Sequence, residues 1–225
     1  MFTAALDTTP GAAGFALLED GKSVFSINFP LKGRDASKLS SMIIEKLSQY
    51  NVGVKDISRW SVGSGPGSFT GLRQAAALVS GWCFGRNDVQ TRCVPGAIAL
   101  AAQAHPQEGE TVCCIYDGRN KEILYYNVIC QDGKLCDTGV YGVLNSAQAA
   151  VFFRENKFAK YICFASELEA VNKIITPELG LELAVCGKSD AADLDRVESI
   201  TFDNDLTRLV YIRPAVYLPE KQESI

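Results

Sequence analysis

At 225 residues, with 47% hydrophobic and 21% charged residues, the chain has an ordinary globular balance and enough apolar surface for one large domain or two small ones. No apolar run reaches transmembrane length, and the start Met1-Phe2-Thr3-Ala4-Ala5-Leu6-Asp7 lacks the basic segment of a signal peptide, so a cytoplasmic protein with no membrane contact is expected. A formal net charge of −4 excludes a surface that attracts nucleic acid as a whole; any RNA contact would fall mainly to a partner.

In chain order, Phe2 to Leu6 reads as a strand ending at Asp7, followed by a Thr8-Thr9-Pro10-Gly11 turn and a second strand around Gly14 to Leu18. Asp20-Gly21 is a two-residue hairpin signal, with Val24 to Phe29 returning. A helix is predicted from about Ala36 to Tyr50, with Leu39, Met42, Ile43, Leu47 and Tyr50 on one face. A strand at Arg59 to Gly63, a glycine-rich loop, a helix at Phe69 to Gly85, a strand at Thr91 to Val94 and a helix at Ala97 to Ala104 complete the first half. His105-Pro106-Gln107-Glu108-Gly109 reads as a linker.

The second half repeats the pattern. Thr111 to Tyr116 is a strand ending at Asp117-Gly118; Ile123 to Cys130, an Asp132-Gly133 turn and Leu135 to Val143 complete a meander. Helix Ser146 to Asn156, strand Tyr161 to Phe164, helix Glu167 to Ile175 and strand Glu182 to Val185 follow. Both halves read βββαβα, which predicts an α/β protein of the actin/sugar-kinase/Hsp70 superfold with lobes at 1–104 and 105–225. Asp190 to Leu209 fits no clear pattern.

The eight cysteines include no CxxC pair and no zinc spacing, so they read as reduced, buried apolar residues. The loop Gly63-Ser64-Gly65-Pro66-Gly67-Ser68-Phe69-Thr70-Gly71-Leu72-Arg73 joins a strand to a helix. Ser68 or Thr70 is placed to cap that helix, but no Gly-Lys-Ser/Thr follows, so the segment is no P-loop; a tight turn and a phosphate site both remain open on the residues alone. In the helix itself, Leu72, Ala75, Ala76, Val79, Trp82 and Cys83 share the inward face. The outward face carries Gln74, Ala77, Ser80, Gly81 and Phe84, where a solvated face would be rich in Lys and Glu. The preceding helix likewise turns Ser40, Ser41, Ile44 and Ser48 outward. Packing within the lobe would explain these faces, but the favoured expectation is a protein–protein interface.

The run Gly65-Pro66-Gly67-Ser68-Phe69-Thr70-Gly71-Leu72-Arg73 closely resembles the signature of the TsaB (YeaZ) family. Leu6-Asp7-Thr8-Thr9, Asp117-Gly118-Arg119-Asn120-Lys121-Glu122 and Pro214-Ala215-Val216-Tyr217-Leu218 match in order and spacing. The chain departs from the family where Asp35-Ala36-Ser37 replaces a common His-Ser, and across Ala191 to Val210. The resemblance implies an actin-like fold and a part in forming threonylcarbamoyladenosine beside the tRNA anticodon. It also implies pairing with a catalytic paralogue, TsaD, action of the ATPase TsaE on that pair, tRNA contact through the complex, and a homodimer through the same helices when the paralogue is absent.

The paralogue's metal-binding histidine pair would fall near Gly96 and Leu100, and the whole sequence has one histidine, His105, so a non-catalytic subunit is expected. Asp7, Thr8, Thr9 and Asp117 form at most a weak, vestigial ATP/ADP site, and no cofactor is expected to be required. The competing expectations are a small-metabolite kinase of the same fold and a glycoprotease-like peptidase, the latter with only His105 as an imidazole base.

Overall fold

The computed structural model describes residues 1–8, 12–30, 37–175, 179–187 and 190–213. Thr9, Asp35, Ala36 and the block Pro214 to Leu218, all named above, lie outside the described residues. Among the described residues, no helix is long and apolar enough to cross a membrane.

Two five-stranded sheets are built alike. In the first, β1 (Phe2–Asp7), β2 (Ala12–Glu19) and β3 (Lys22–Pro30) form an antiparallel meander, and β4 (Ile57–Gly63) and β5 (Gln90–Val94) add in parallel on the other side of β1, giving the order β3-β2-β1-β4-β5. In the second, β6 (Thr111–Arg119), β7 (Glu122–Gln131), β8 (Lys134–Asn145), β9 (Lys160–Phe164) and β10 (Leu183–Cys186) repeat that order as β8-β7-β6-β9-β10. This duplicated arrangement is the actin-like fold the pattern predicts. The strand β6 runs past Asp117, where the sequence suggests an end, because a register shift between Asp117 and Arg119 carries the ladder to an Arg119–Glu122 pair.

Three hairpins close on two-residue loops: Asp20-Gly21 (φ 49° and 76°), Asp132-Gly133 (φ 53° and 70°) and Asn120-Lys121 (φ 50° and 61°). Positive φ at both loop positions matches the right-handed twist of the flanking strands.

The helices are α1 (Leu39–Ser48), α2 (Phe69–Cys83), α3 (Gly96–Ala102), α4 (Ser146–Glu155), α5 (Leu168–Asn172) and α6 (Ala192–Asp195). Of the two candidate caps, Ser68 is the one used: its Oγ accepts from the Gly71 N–H at 3.0 Å. Asn145 and Gln148 form a reciprocal capping box on α4.

Strand periodicity sorts the core. Ala4, Leu6, Phe15 and Leu17 point toward α1 and α2, joining Leu39, Ile43, Leu47, Trp60, Ala75 and Val79. Their neighbours Ala5, Ala16 and Leu18 point the other way, into a cluster shared with α3, α6 and Val112, Cys114 and Tyr116 of the second sheet. Cys113 and Ile115 face Ala149, Phe153 and Val171 on the far side. The layers therefore run α1/α2, sheet, α3/α6, sheet, α4/α5.

The stretch without a legible pattern returns to the first sheet. Arg92 of β5, 3% exposed, donates Nε–H to Ser61 Oγ (2.9 Å), Nη1 to the Val197 and Ile200 carbonyls (both 2.6 Å), and Nη2 to those of Leu194 (3.2 Å) and Asp195 (2.8 Å). Asp195 in turn accepts from Thr3 Oγ1 (2.9 Å) and Ser61 Oγ (3.1 Å). Further on, Asn204 N–H bonds the Thr91 carbonyl at 2.9 Å and Val210 N–H bonds the Ser64 carbonyl at 2.8 Å.

Candidate functional site

The glycine-rich loop is tied down by backbone bonds. Ser64 N–H donates to Val94 (2.9 Å), Gly96 N–H donates to Gly65 (2.7 Å), and Val210 N–H donates to Ser64. Gly65 has φ 114°, and a Cβ there would stand 2.9 Å from the Val210 carbonyl, so only glycine admits the returning chain so closely. Gly67, Ser68 and Thr70 stay exposed, while Pro66 is buried and Phe69 half-buried. A Cβ on Gly71 would meet the Thr8 carbonyl at 2.9 Å, so this glycine lets the first turn of α2 close on the turn after β1.

The strand-end aspartates differ. Asp7, 3% exposed, lies against Gly63, where a Cβ would come within 2.4 Å of its Oδ1. Thr8, beside it, is also buried. Asp117 instead borders a cleft of about 310 Å³, together with Ser68, Phe69, Glu167, Tyr211 and Arg213. Its N–H donates to Glu167 Oε2 at 3.1 Å, and its Oδ1 accepts from Arg119 N–H at 2.8 Å. Burial pushes the Glu167 carboxyl up to about 7, with the Asp117 charge adding to the rise and its N–H opposing it.

Glu167, Tyr211 and Arg213 were not candidates from sequence. The one signal for Glu167 is the internal repeat: it follows β9 where the glycine-rich loop follows β4. Tyr211 and Arg213 carry none, since they reach the cleft only through the returning chain. Arg213 pairs with Glu122 of β7, and Tyr211 accepts from Arg73 Nε at 3.1 Å while its ring lies 4.8 Å from that of Phe69. Arg73 itself is exposed and stacks 3.7 Å over the Phe69 ring.

Among the described residues, this is a poor fit for a nucleotide. Asp7 turns inward rather than bordering the cleft, and Gly118 is hemmed in, its notional Cβ 2.8 Å from the Glu122 carbonyl and 3.1 Å from Arg213 Nη2. A phosphate needs open backbone N–H groups at such a turn. Among the described residues, no group of three His, Cys, Asp or Glu stands close enough to hold a metal ion.

The outward helix faces are uncovered. Ser41, Ile44 and Ser48 on α1 and Ala77, Ser80 and Gly81 on α2 are exposed, as is Phe84 just after α2, while Gln74 is half-buried. Ile44 is 47% and Phe84 89% exposed, and a Cβ on Gly81 would meet nothing within 4 Å. Beside this face a groove of about 680 Å³ separates Ala77, Ser80 and Phe84 from Asp205, Leu209 and Tyr211. Tyr211 borders both groove and cleft. Exposed His105, with φ 48°, belongs to neither.

Over residues 34–152, more than half its length, the chain matches the family model described as TsaD: tRNA N6-adenosine threonylcarbamoyltransferase. It is 31% identical over 126 residues to the tRNA threonylcarbamoyladenosine biosynthesis protein TsaB of Haemophilus influenzae, covering 56% of this chain and 52% of that one. It thus spans about half the length of the curated relative it matches. Among solved structures, YeaZ from Pseudomonas aeruginosa superposes with a TM-score of 0.65 at 24% identity, over 87% of this chain and 89% of the other. An uncharacterized protein with similarity to peptidase YeaZ from Pseudomonas aeruginosa gives 0.69 at 22%, over 94% and 99%. These two likenesses carry the fold.

Proposed function

The chain belongs to the family whose model is described as TsaD: tRNA N6-adenosine threonylcarbamoyltransferase, and from that membership and its likeness to TsaB we propose that it is a TsaB (YeaZ) protein, the non-catalytic subunit that pairs with a TsaD paralogue to form threonylcarbamoyladenosine on tRNA. The observation that carries this reading is the uncovered face of α1 and α2. A large aromatic at 89% exposure and an isoleucine at 47% are costly to leave in water, and the run of Ala, Ser and Gly beside them is suited to a close helix–helix contact. The same face would serve a homodimer when the paralogue is absent.

The transferase chemistry named by the matching family model is assigned to the paralogue. A metal site of the His-pair kind needs two imidazoles, and this sequence has only His105. Gly96 and Leu100 stand where the pair would fall, with Leu100 buried in α3. No nucleotide is needed for the role proposed, and TsaE acts on the assembled pair.

The test is co-purification with the paralogue from the same organism, followed by a tRNA modification assay with each chain left out in turn. Activity should require both. Gly81→Arg should block pairing while leaving the lobe folded, because open space surrounds the position. A complex of unchanged mass by light scattering would remove α2 from the interface.

A further inference from the structure

The loop between β6 and β7 breaks a rule that the rest of the molecule keeps. In a hairpin loop with φ positive at both positions, the second is the usual place of glycine, because any Cβ is strained there. Asp20-Gly21 and Asp132-Gly133 comply. Asn120-Lys121 does not: Lys121 holds φ 61°, and Arg119, just before the loop, holds φ 58°. Two long cations thus occupy left-handed backbone within three residues. Both are exposed, and neither forms an ion pair among the described residues. Strain kept in place of an available glycine points to use of the side chain.

The surroundings indicate the use. A cavity of about 340 Å³ lies between this loop and the end of α5, bordered by Arg119, Asn120, Lys121, Ser146 and Lys173. Lys173 meets Glu169 at 2.8 Å, but that pair is exposed and holds the ammonium only weakly. Of the carboxylates on the rim, Glu122 is paired with Arg213, whereas Asp117 accepts only the backbone N–H of Arg119 and keeps its charge, which acts on Lys173. Three cations with hydroxyl and amide donors therefore border one opening against a single unpaired carboxylate, Asp117, on a chain whose net charge is −4.

We propose that this loop is an RNA contact, in which Arg119, Lys121 and Lys173 engage backbone phosphates of the tRNA held by the assembled pair. The inference rests on the function proposed above and adds to it a place on this subunit where the polynucleotide is touched. Phosphate neutralisation by Lys and Arg is charge-driven and needs no base recognition.

The experiment is a titration of labelled tRNA into the complex with the paralogue, over a range of salt concentrations, for the wild type, Lys121→Gly and Arg119→Gln/Lys121→Gly. Relief of the left-handed lysine should raise the Tm of Lys121→Gly by about 2–4 °C. The same change should weaken tRNA binding about five-fold at about 150 mM salt and lower the salt slope by roughly 0.7–0.9, with a second such step for the double variant. A more stable protein that binds RNA less well is an outcome a purely structural loop does not give. Unchanged affinity and slope in complexes that still assemble would overturn the RNA contact and leave the partner role standing. Displacement of tRNA by millimolar inorganic phosphate or ATP, with protection of these residues by the small anion, would also overturn it, in favour of a small phosphate ligand. If the wild-type chain neither assembles nor supports modification, the functional reading falls and takes this inference with it.

Discussion

Replacing Arg92 by methionine keeps an unbranched stem beside Phe202, whose ring lies 4.3 Å from the guanidinium carbon, but removes every donor. All five N–H groups of Arg92 are engaged, four of them with carbonyls of residues 194–200. A buried carbonyl stripped of its donor costs about 1–3 kcal/mol, and breaking a buried charged cluster as a unit costs about 3–5 kcal/mol, since partial rewetting prevents simple addition. We therefore expect a loss of about 3–5 kcal/mol in urea unfolding, or about 6–20 °C in Tm for a chain of this size. Arg92→Lys keeps the charge with fewer, shorter-reaching donors and should fall between. Hydrogen exchange should locate the damage, with amides such as Asn204 and Val210 losing protection before those of α4 and β7. A loss under about 1 kcal/mol, or unchanged exchange across 194–210, would refute the argument that this arginine holds the returning chain.

Other outcomes follow from single contacts. Gly63→Ala should cost about 1–3 kcal/mol, because its Cβ would meet Asp7 Oδ1 at 2.4 Å, and a double-mutant cycle with Asp7→Ala should recover much of that loss. Glu167 has a folded pKa raised by burial to about 7 against an ordinary 4.5, so its protonated form favours the fold and that contribution is lost as pH rises from 4.5 through 7. Glu167→Gln should therefore gain stability relative to wild type between pH 5 and 8, up to about 3 kcal/mol, and parallel pH profiles would show that the carboxyl is not desolvated. A thiol reagent should label at most Cys83, Cys136 and Cys186 quickly in the native protein, since the other five cysteines are buried; fast reaction of all eight would contradict the packing.

The fold was legible where local physics and global architecture agree. Asp20-Gly21 and Asp132-Gly133 mark their hairpins by residue type alone, and the three- to four-residue spacing of Leu39, Ile43 and Leu47 marks α1. The helix over 167–175 is shorter than its pattern suggests, Leu168–Asn172, with the apolar Ile174 and Ile175 buried through a turn instead. Residues 190–209 were opaque because their backbone is satisfied by a side chain about a hundred positions away, a bond that leaves no periodicity. For the same reason the cleft was half visible. Asp117 announces itself at a strand end, whereas Tyr211 and Arg213 arrive there only because Val210 is fastened to Ser64. The strained cations at 119 and 121 were in plain view as residues, but their significance lay in backbone angles.

The return of the C-terminal stretch has a consequence for biosynthesis. Arg92 precedes its carbonyl acceptors by 102 to 108 residues. At about 5–20 residues per second of translation, they leave the ribosome about 5–20 s after it does. Through that interval the first sheet has its strand-to-strand ladders but lacks the Asn204 bonds to Thr91 and α6 over Ala5, Ala16 and Leu18, and the guanidinium remains in water. The half of the molecule that is synthesised first is the half that is finished last.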